Sequence, residues 1–91
     1  MNRNPHSTAA LTMDDLTPGL RVKIHYHTGQ RPWTTEATIV SPVFNRFRPG
    51  MGNMPSVELE YPDGRQDTEF LADMGVCPHR GDWLRNYTTR A

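Results

Sequence analysis

Four carboxylates, Glu58, Glu60, Asp67 and Glu69, flank a Pro62-Asp63-Gly64 turn at alternate positions of two runs that read as strands. Alternate residues of a strand share one face, so each pair projects from one side of its strand. With Asp63-Gly64 as a two-residue hairpin loop, Leu59 faces Thr68 and Val57 faces Phe70 on the inner side. The outer side then pairs Glu60 with Asp67 and Glu58 with Glu69. Like charges directly opposite are destabilising. Sliding the register by one would relieve them but would drive Asp67 and Glu69 toward the core, at greater cost. Such a cluster is either a solvated face neutralised by nearby Arg or Lys, or a docking surface for a basic partner. A divalent-metal site is the weakest of the readings, because no ligand loop accompanies the carboxylates.

The opposite sign gathers on another run, where Arg21, Lys23, His25 and His27 alternate with apolar residues. This row reads as a solvated strand face. Phosphate contact is a second use, although two of the four groups are usually neutral at pH 7 and few counterions would be released. Pairing of this basic row with the acidic hairpin of another copy would make a homo-oligomer, sensitive to salt.

Residues 41–56 hold three Pro, two Gly and two Met, with Phe44, Arg46, Phe47 and Arg48 interleaved. No period fits them, and they read as a long loop with a role beyond connection. Arg46, Arg48, Met51 and Met54 are side chains enriched at interface centres. Phe44 and Phe47 either fold under the loop to complete the core or stack on single-stranded nucleic acid.

Tyr26, Trp33, Tyr61 and Phe70 are the right types for an aromatic cage around a cation. Their phase places them inside, as core. His25-x-His27 and Cys77-Pro78-His79 add up to four zinc-ligand types, but one Cys and the long separation argue against a site. Cys77 lacks an orienting motif and reads as a small buried hydrophobe. Arg80-Gly81-Asp82 spells an adhesion tripeptide that chance explains. There is no phosphate-cradling Gly loop and no hydrolase elbow. The expectation is a non-enzymatic protein without catalytic residues, metal or cofactor.

The elements that would position these groups are short. Residues 19–27 alternate without a slip, the pattern of a strand with one buried face. A turn over 27–32 leads to a second strand over 33–41. Antiparallel pairing sets Tyr26 opposite Trp33, Ile24 opposite Thr35, Val22 opposite Ala37 and Leu20 opposite Ile39, with Lys23 facing Glu36 behind them. Thr12 and Asp15 spell a capping box for one helical turn. Residues 57–61 and 65–70 form the second hairpin, followed by a helical turn closed at Gly75. Residues 76–78 read as a short closing strand. Asp82 would cap a last turn that carries Trp83, Leu84 and Tyr87 onto the body.

With 91 residues, 35% of them hydrophobic, the chain is one small domain over 11–91 behind a polar tail over 1–10. One Cys excludes an internal disulfide and suits a reducing cytoplasm. No segment is apolar enough to cross a bilayer. Ten basic and ten acidic residues cancel, which disfavours a nucleic-acid binder unless charge is segregated.

Four to five short strands, with one turn before the last, describe a mainly β fold: a small, bent antiparallel barrel. It resembles the SH3-like barrels, the broad group that holds Tudor and KOW modules. The resemblance rests on Pro18-Gly19 leading into Leu20, Val22 and Ile24, on Ala37-Thr38-Ile39-Val40, and on Leu59-Glu60-Tyr61-Pro62-Asp63-Gly64, and covers residues 16–78. It implies a binding module for proteins, peptides or nucleic acids. The expected function is capture of a protein partner through the acidic hairpin and the 41–56 loop. A compact inhibitor of the phage-encoded kind, occupying a nucleic-acid-binding surface on its target, would use such a face. The alternative is a nucleic-acid-binding barrel working through Arg21, Lys23, Phe44, Phe47, Arg46 and Arg48.

Overall fold

A computed structural model describes residues 10–27, 33–76 and 86–91. Six antiparallel strands curl into a half-barrel: β1 (Arg21–Tyr26), β2 (Trp33–Ile39), β3 (Phe44–Arg48), β4 (Gly52–Glu60), β5 (Gln66–Phe70) and β6 (Tyr87–Arg90). The order is β3-β4-β2-β1-β6, with β5 on β4. Among the described residues there are six strands where four to five were expected, and the helical content is a single 3-10 turn at Met13–Asp15. Asp15 Oδ2 accepts from the Thr12 N–H at 2.8 Å, as the capping box requires.

The first pairing is the expected one. Val22 faces Ala37, Ile24 faces Thr35 and Tyr26 faces Trp33, with Lys23 opposite Glu36. Alternation fixes this register because a slip of one would expose Val22 and Ile24, both fully buried. The ion pair formed is the diagonal one, however: Arg21 reaches Glu36 at 3.1 Å.

Residues 41–56 are not a loop. Phe44–Arg48 and Gly52–Glu60 pair as a hairpin, with Phe44 opposite Ser56 and Arg46 opposite Met54. The Met51 N–H donates to the Arg48 carbonyl at 2.9 Å across the turn, and Gly52 follows at φ +83°. Alternation is missing from β3 because four of its five residues are exposed, so no buried face imposes a period.

The second hairpin forms in a different register from the expected one. Tyr61 and Arg65 close a three-residue loop, with Gly64 N–H donating to the Tyr61 carbonyl at 2.9 Å and Gly64 at φ +87°. A turn followed by a left-handed glycine is the three-residue hairpin solution, and it shifts the pairing by one. Leu59 therefore faces Asp67, Val57 faces Glu69 and Glu58 faces Thr68. The four carboxylates do not oppose one another, and Asp67 and Glu69 turn to the inner side.

Closure differs as well. Val76 is buried but not in a strand, and Cys77 and Pro78 lie outside the described residues, as do Asp82, Trp83 and Leu84. The closing strand is β6, paired to β1 with His25 opposite Tyr87. Hydrogen-bonded turns over 71–75 bring Leu71 and Met74 under the sheet beside Val57 and Leu59, all four fully buried. Thr88 donates its hydroxyl to the Met74 carbonyl at 2.8 Å, so its burial leaves no polar atom unpaired.

Candidate functional site

Where β5 leaves the core, its inner face borders a cleft of about 440 Å³ instead of sealed interior. The walls are Tyr26 from the end of β1, Trp33 from the start of β2, and Tyr61 and Arg65 from the foot of the hairpin loop. Asp67 and Glu69 come from β5, Asp73 from the following turn and Asn86 from the approach to β6. The slipped register is what turns Asp67 and Glu69 here. Neither is fully buried, and among the described residues β5 pairs with β4 alone.

Each wall is held. The Tyr26 and Trp33 rings stack 4.4 Å apart at 21°, a consequence of their cross-strand pairing. Tyr26 is buried and donates its hydroxyl to Glu69 Oε2 at 3.0 Å. Trp33 is 53% exposed and presents its surface at the mouth, so the expectation of a core Trp does not hold. Asn86 ties the floor together, donating to the Asp73 carbonyl at 2.7 Å and accepting from the His27 N–H at 2.8 Å. The Arg65 guanidinium lies over the Tyr61 ring, 4.6 Å from its centre.

The cleft carries a negative field. Burial, with Asp73 and Asp67 nearby, pushes the Glu69 carboxyl above its ordinary value, against the opposing pull of the Tyr26 hydroxyl. Burial and the Glu69 charge push Tyr26 upward. Tyr61 is raised by burial, Glu69 and Asp67, with Arg65 pulling the other way. Three carboxylates face one cation on the walls, and Arg48 reaches Asp73 from outside at 3.2 Å. Among the described residues no group of three or more His, Cys, Asp and Glu is placed to hold a metal ion. What the arrangement can do is hold an organic cation between carboxylates and aromatic faces.

The other expected site residues are dispersed. Glu58 is exposed on the outer side of β4. Glu60 lines a smaller groove of about 320 Å³ beside Arg21, Glu36 and Tyr61. Arg46 and Arg48 both sit over the Phe70 ring, at 5.1 and 4.6 Å, on the face of the β3–β4 hairpin. Phe47 is 65% and Met51 55% exposed near the hairpin tip, and Phe44 is at the margin of exposure. Met54 is half-buried. Lys23 remains on the outer face of β1, where the His25 and Tyr87 rings stack at 4.3 Å beside it. His27 stands 5.9 Å from the same Tyr87 ring, and Cys77 and His79 lie outside the described residues.

Sequence reasoning missed Asp73, Asn86 and Arg65; its assignment of the aromatics to the core holds for Tyr26, which is buried, and for Tyr61, which packs against the core, but not for Trp33. The available signal was the aromatic quartet, three of whose four members line the cleft. Phe70 is elsewhere, beneath the two arginines. No protein-family model, curated protein or solved structure matches the chain. Among the described residues no helix is long and apolar enough to cross a membrane.

Proposed function

We propose that this chain is a non-enzymatic binding module that takes a basic side chain of a protein partner into the acidic, aromatic-walled cleft. The observation that carries this is the convergence of Asp67, Glu69 and Asp73 with Tyr26, Trp33 and Tyr61 on one concave surface. A guanidinium or ammonium there would gain charge-assisted hydrogen bonds and a ring face together. The half-barrel, with β1 between β2 and β6 and a turn before the last strand, supports the SH3-like reading on which a binding role was expected. A partner that presents cations toward nucleic acid is a fitting target, and occupying it would make the chain an inhibitor of that contact.

Calorimetric titration with short peptides differing only in one Arg, Lys or Gln tests the proposal. Binding of the Arg or Lys peptide, and at least about tenfold weakening by Asp67→Asn or Trp33→Ala, a loss of about 1.4 kcal/mol or more, is the expected result. Equal affinity for the Gln peptide would end the proposal.

A second reading, single-stranded nucleic-acid binding, is favoured by exposed Phe47 beside Arg46. Arg48 is already committed to Asp73, and the chain has no net positive charge to add. Retention on single-stranded DNA, lost with Arg46→Ala, would put this reading first.

A further inference from the structure

The β3–β4 hairpin and the cleft are complementary in charge and in surface type, and they belong to the same chain. The hairpin tip exposes Phe47 and Met51 at 65% and 55%, and Arg46 is exposed on the opposite face of β3 from Phe47. The cleft mouth exposes Trp33 at 53% above Asp67 and Glu69. These three are the most exposed of the large apolar side chains described, and such surfaces on a small monomer mark contacts.

Among the described residues the other arginines are engaged. Arg21 pairs with Glu36, Arg48 with Asp73, Arg90 with Asp15, and Arg65 lies on Tyr61 within the cleft wall. Arg46 has a ring contact with Phe70 at 5.1 Å and no acidic partner among the described residues. A contact of that kind at an exposed site is weak and readily exchanged for another ring with a carboxylate beside it. With zero net charge, copies of the chain do not repel one another at long range.

We propose that the cleft of one copy receives the hairpin of a second, with Arg46 entering between Trp33 and the Asp67 and Glu69 carboxylates. This rests on the reading of the cleft as a cation site. The two surfaces are different patches, so the contact is heterologous. It is also an internal competitor for any basic partner.

Sedimentation velocity of the full chain, from micromolar to millimolar concentration and at low and high salt, tests the contact. The wild type is expected to associate with rising concentration at low salt and to dissociate at high salt. Arg46→Glu and Asp67→Arg, both at exposed positions, are each expected to weaken association at least tenfold. Their equimolar mixture is expected to form a 1:1 complex, since one retains an intact cleft and the other an intact hairpin. Circular dichroism of each variant reports whether its fold is kept. A wild type that stays monomeric at millimolar concentration and low salt overturns the proposal, as does a mixture of folded variants that stays monomeric. The Arg-peptide titration run in parallel separates the two failures. Peptide binding by a monomeric wild type removes self-docking alone, and no peptide binding removes the cleft reading with it.

Discussion

The Tyr26 hydroxyl donates to Glu69 Oε2 at 3.0 Å, joining the end of β1 to β5 across 43 residues of chain. Among the described residues β5 has β4 as its one strand partner, so this bond is the side-chain tie that draws the hairpin toward the first sheet pair. It also fixes the direction of one carboxylate at the base of the cleft.

Removing that hydroxyl should loosen the cleft without emptying the core. Tyr26→Phe keeps the ring stacked on Trp33 and is expected to cost about 1–2 kcal/mol, the range for a hydrogen bond to a partly solvated charged acceptor. Urea denaturation measures it. An unchanged midpoint would show that β5 is held by β4 alone.

The Glu69 carboxyl is raised above 4.5 in the folded chain, chiefly by burial. Between that ordinary value and the raised one the folded state binds more protons than the unfolded state. Stability therefore falls as pH rises through this window. Glu69→Gln is expected to abolish that part of the pH dependence and to match or exceed the wild type at neutral pH. Melting temperature against pH, taken as the difference between the two proteins, gives the sign. His25 acts oppositely: burial, Lys23 and His27 lower it from 6.5, so its contribution to stability is lost as pH falls below that value.

Gly75 and Gly64 are both at positive φ but are expected to differ sharply on substitution. A Cβ at Gly75 would lie 1.7 Å from the Asn86 carbonyl oxygen, with φ at +69°, whereas nothing lies within 4 Å of one at Gly64. Gly64→Ala should cost about 1–2 kcal/mol for the left-handed backbone alone. Gly75→Ala adds a backbone clash, and for a small domain stable by about 5 kcal/mol the sum is expected to prevent folding. Soluble yield and circular dichroism of the pair decide the matter.

Asn86→Ala is expected to cost about 2–4 kcal/mol, because it leaves the His27 N–H and the Asp73 carbonyl without their side-chain partner. Asn86→Asp retains the acceptor for His27, loses the donor to Asp73 and adds a fourth carboxylate to the cleft. It should therefore destabilise most at neutral pH and recover in acid. Amide hydrogen exchange at His27 reports the loss directly.

The β1–β2 register was legible from one dimension, since Val22, Ile24, Ala37 and Ile39 have a buried side to satisfy and alternation admits one solution. The capping box was legible for a similar reason, depending on residues within a few positions, and so was the chain reversal closed at Gly75, although it forms hydrogen-bonded turns and not the expected helical turn. The β3 strand was not, because both of its faces meet solvent and its residues obey no period. Strand β6 was not legible because its pairing with β1 depends on contacts more than sixty residues apart.

The second hairpin separates the two kinds of information most clearly. Composition and turn chemistry alone required a hairpin at Asp63-Gly64 with carboxylates along both arms. Whether those carboxylates faced one another or faced Val57 and Leu59 depended on one residue of loop length, set by the left-handed backbone at Gly64. The penalty that disfavoured the observed register assumed a sealed core on the inner side. Only the packed molecule shows a cleft on that side, which leaves Asp67 exposed and confines the desolvation cost to partly buried Glu69. Local pattern determined which strands carry the carboxylates and the aromatic rings; the curvature of the sheet decided which of them meet.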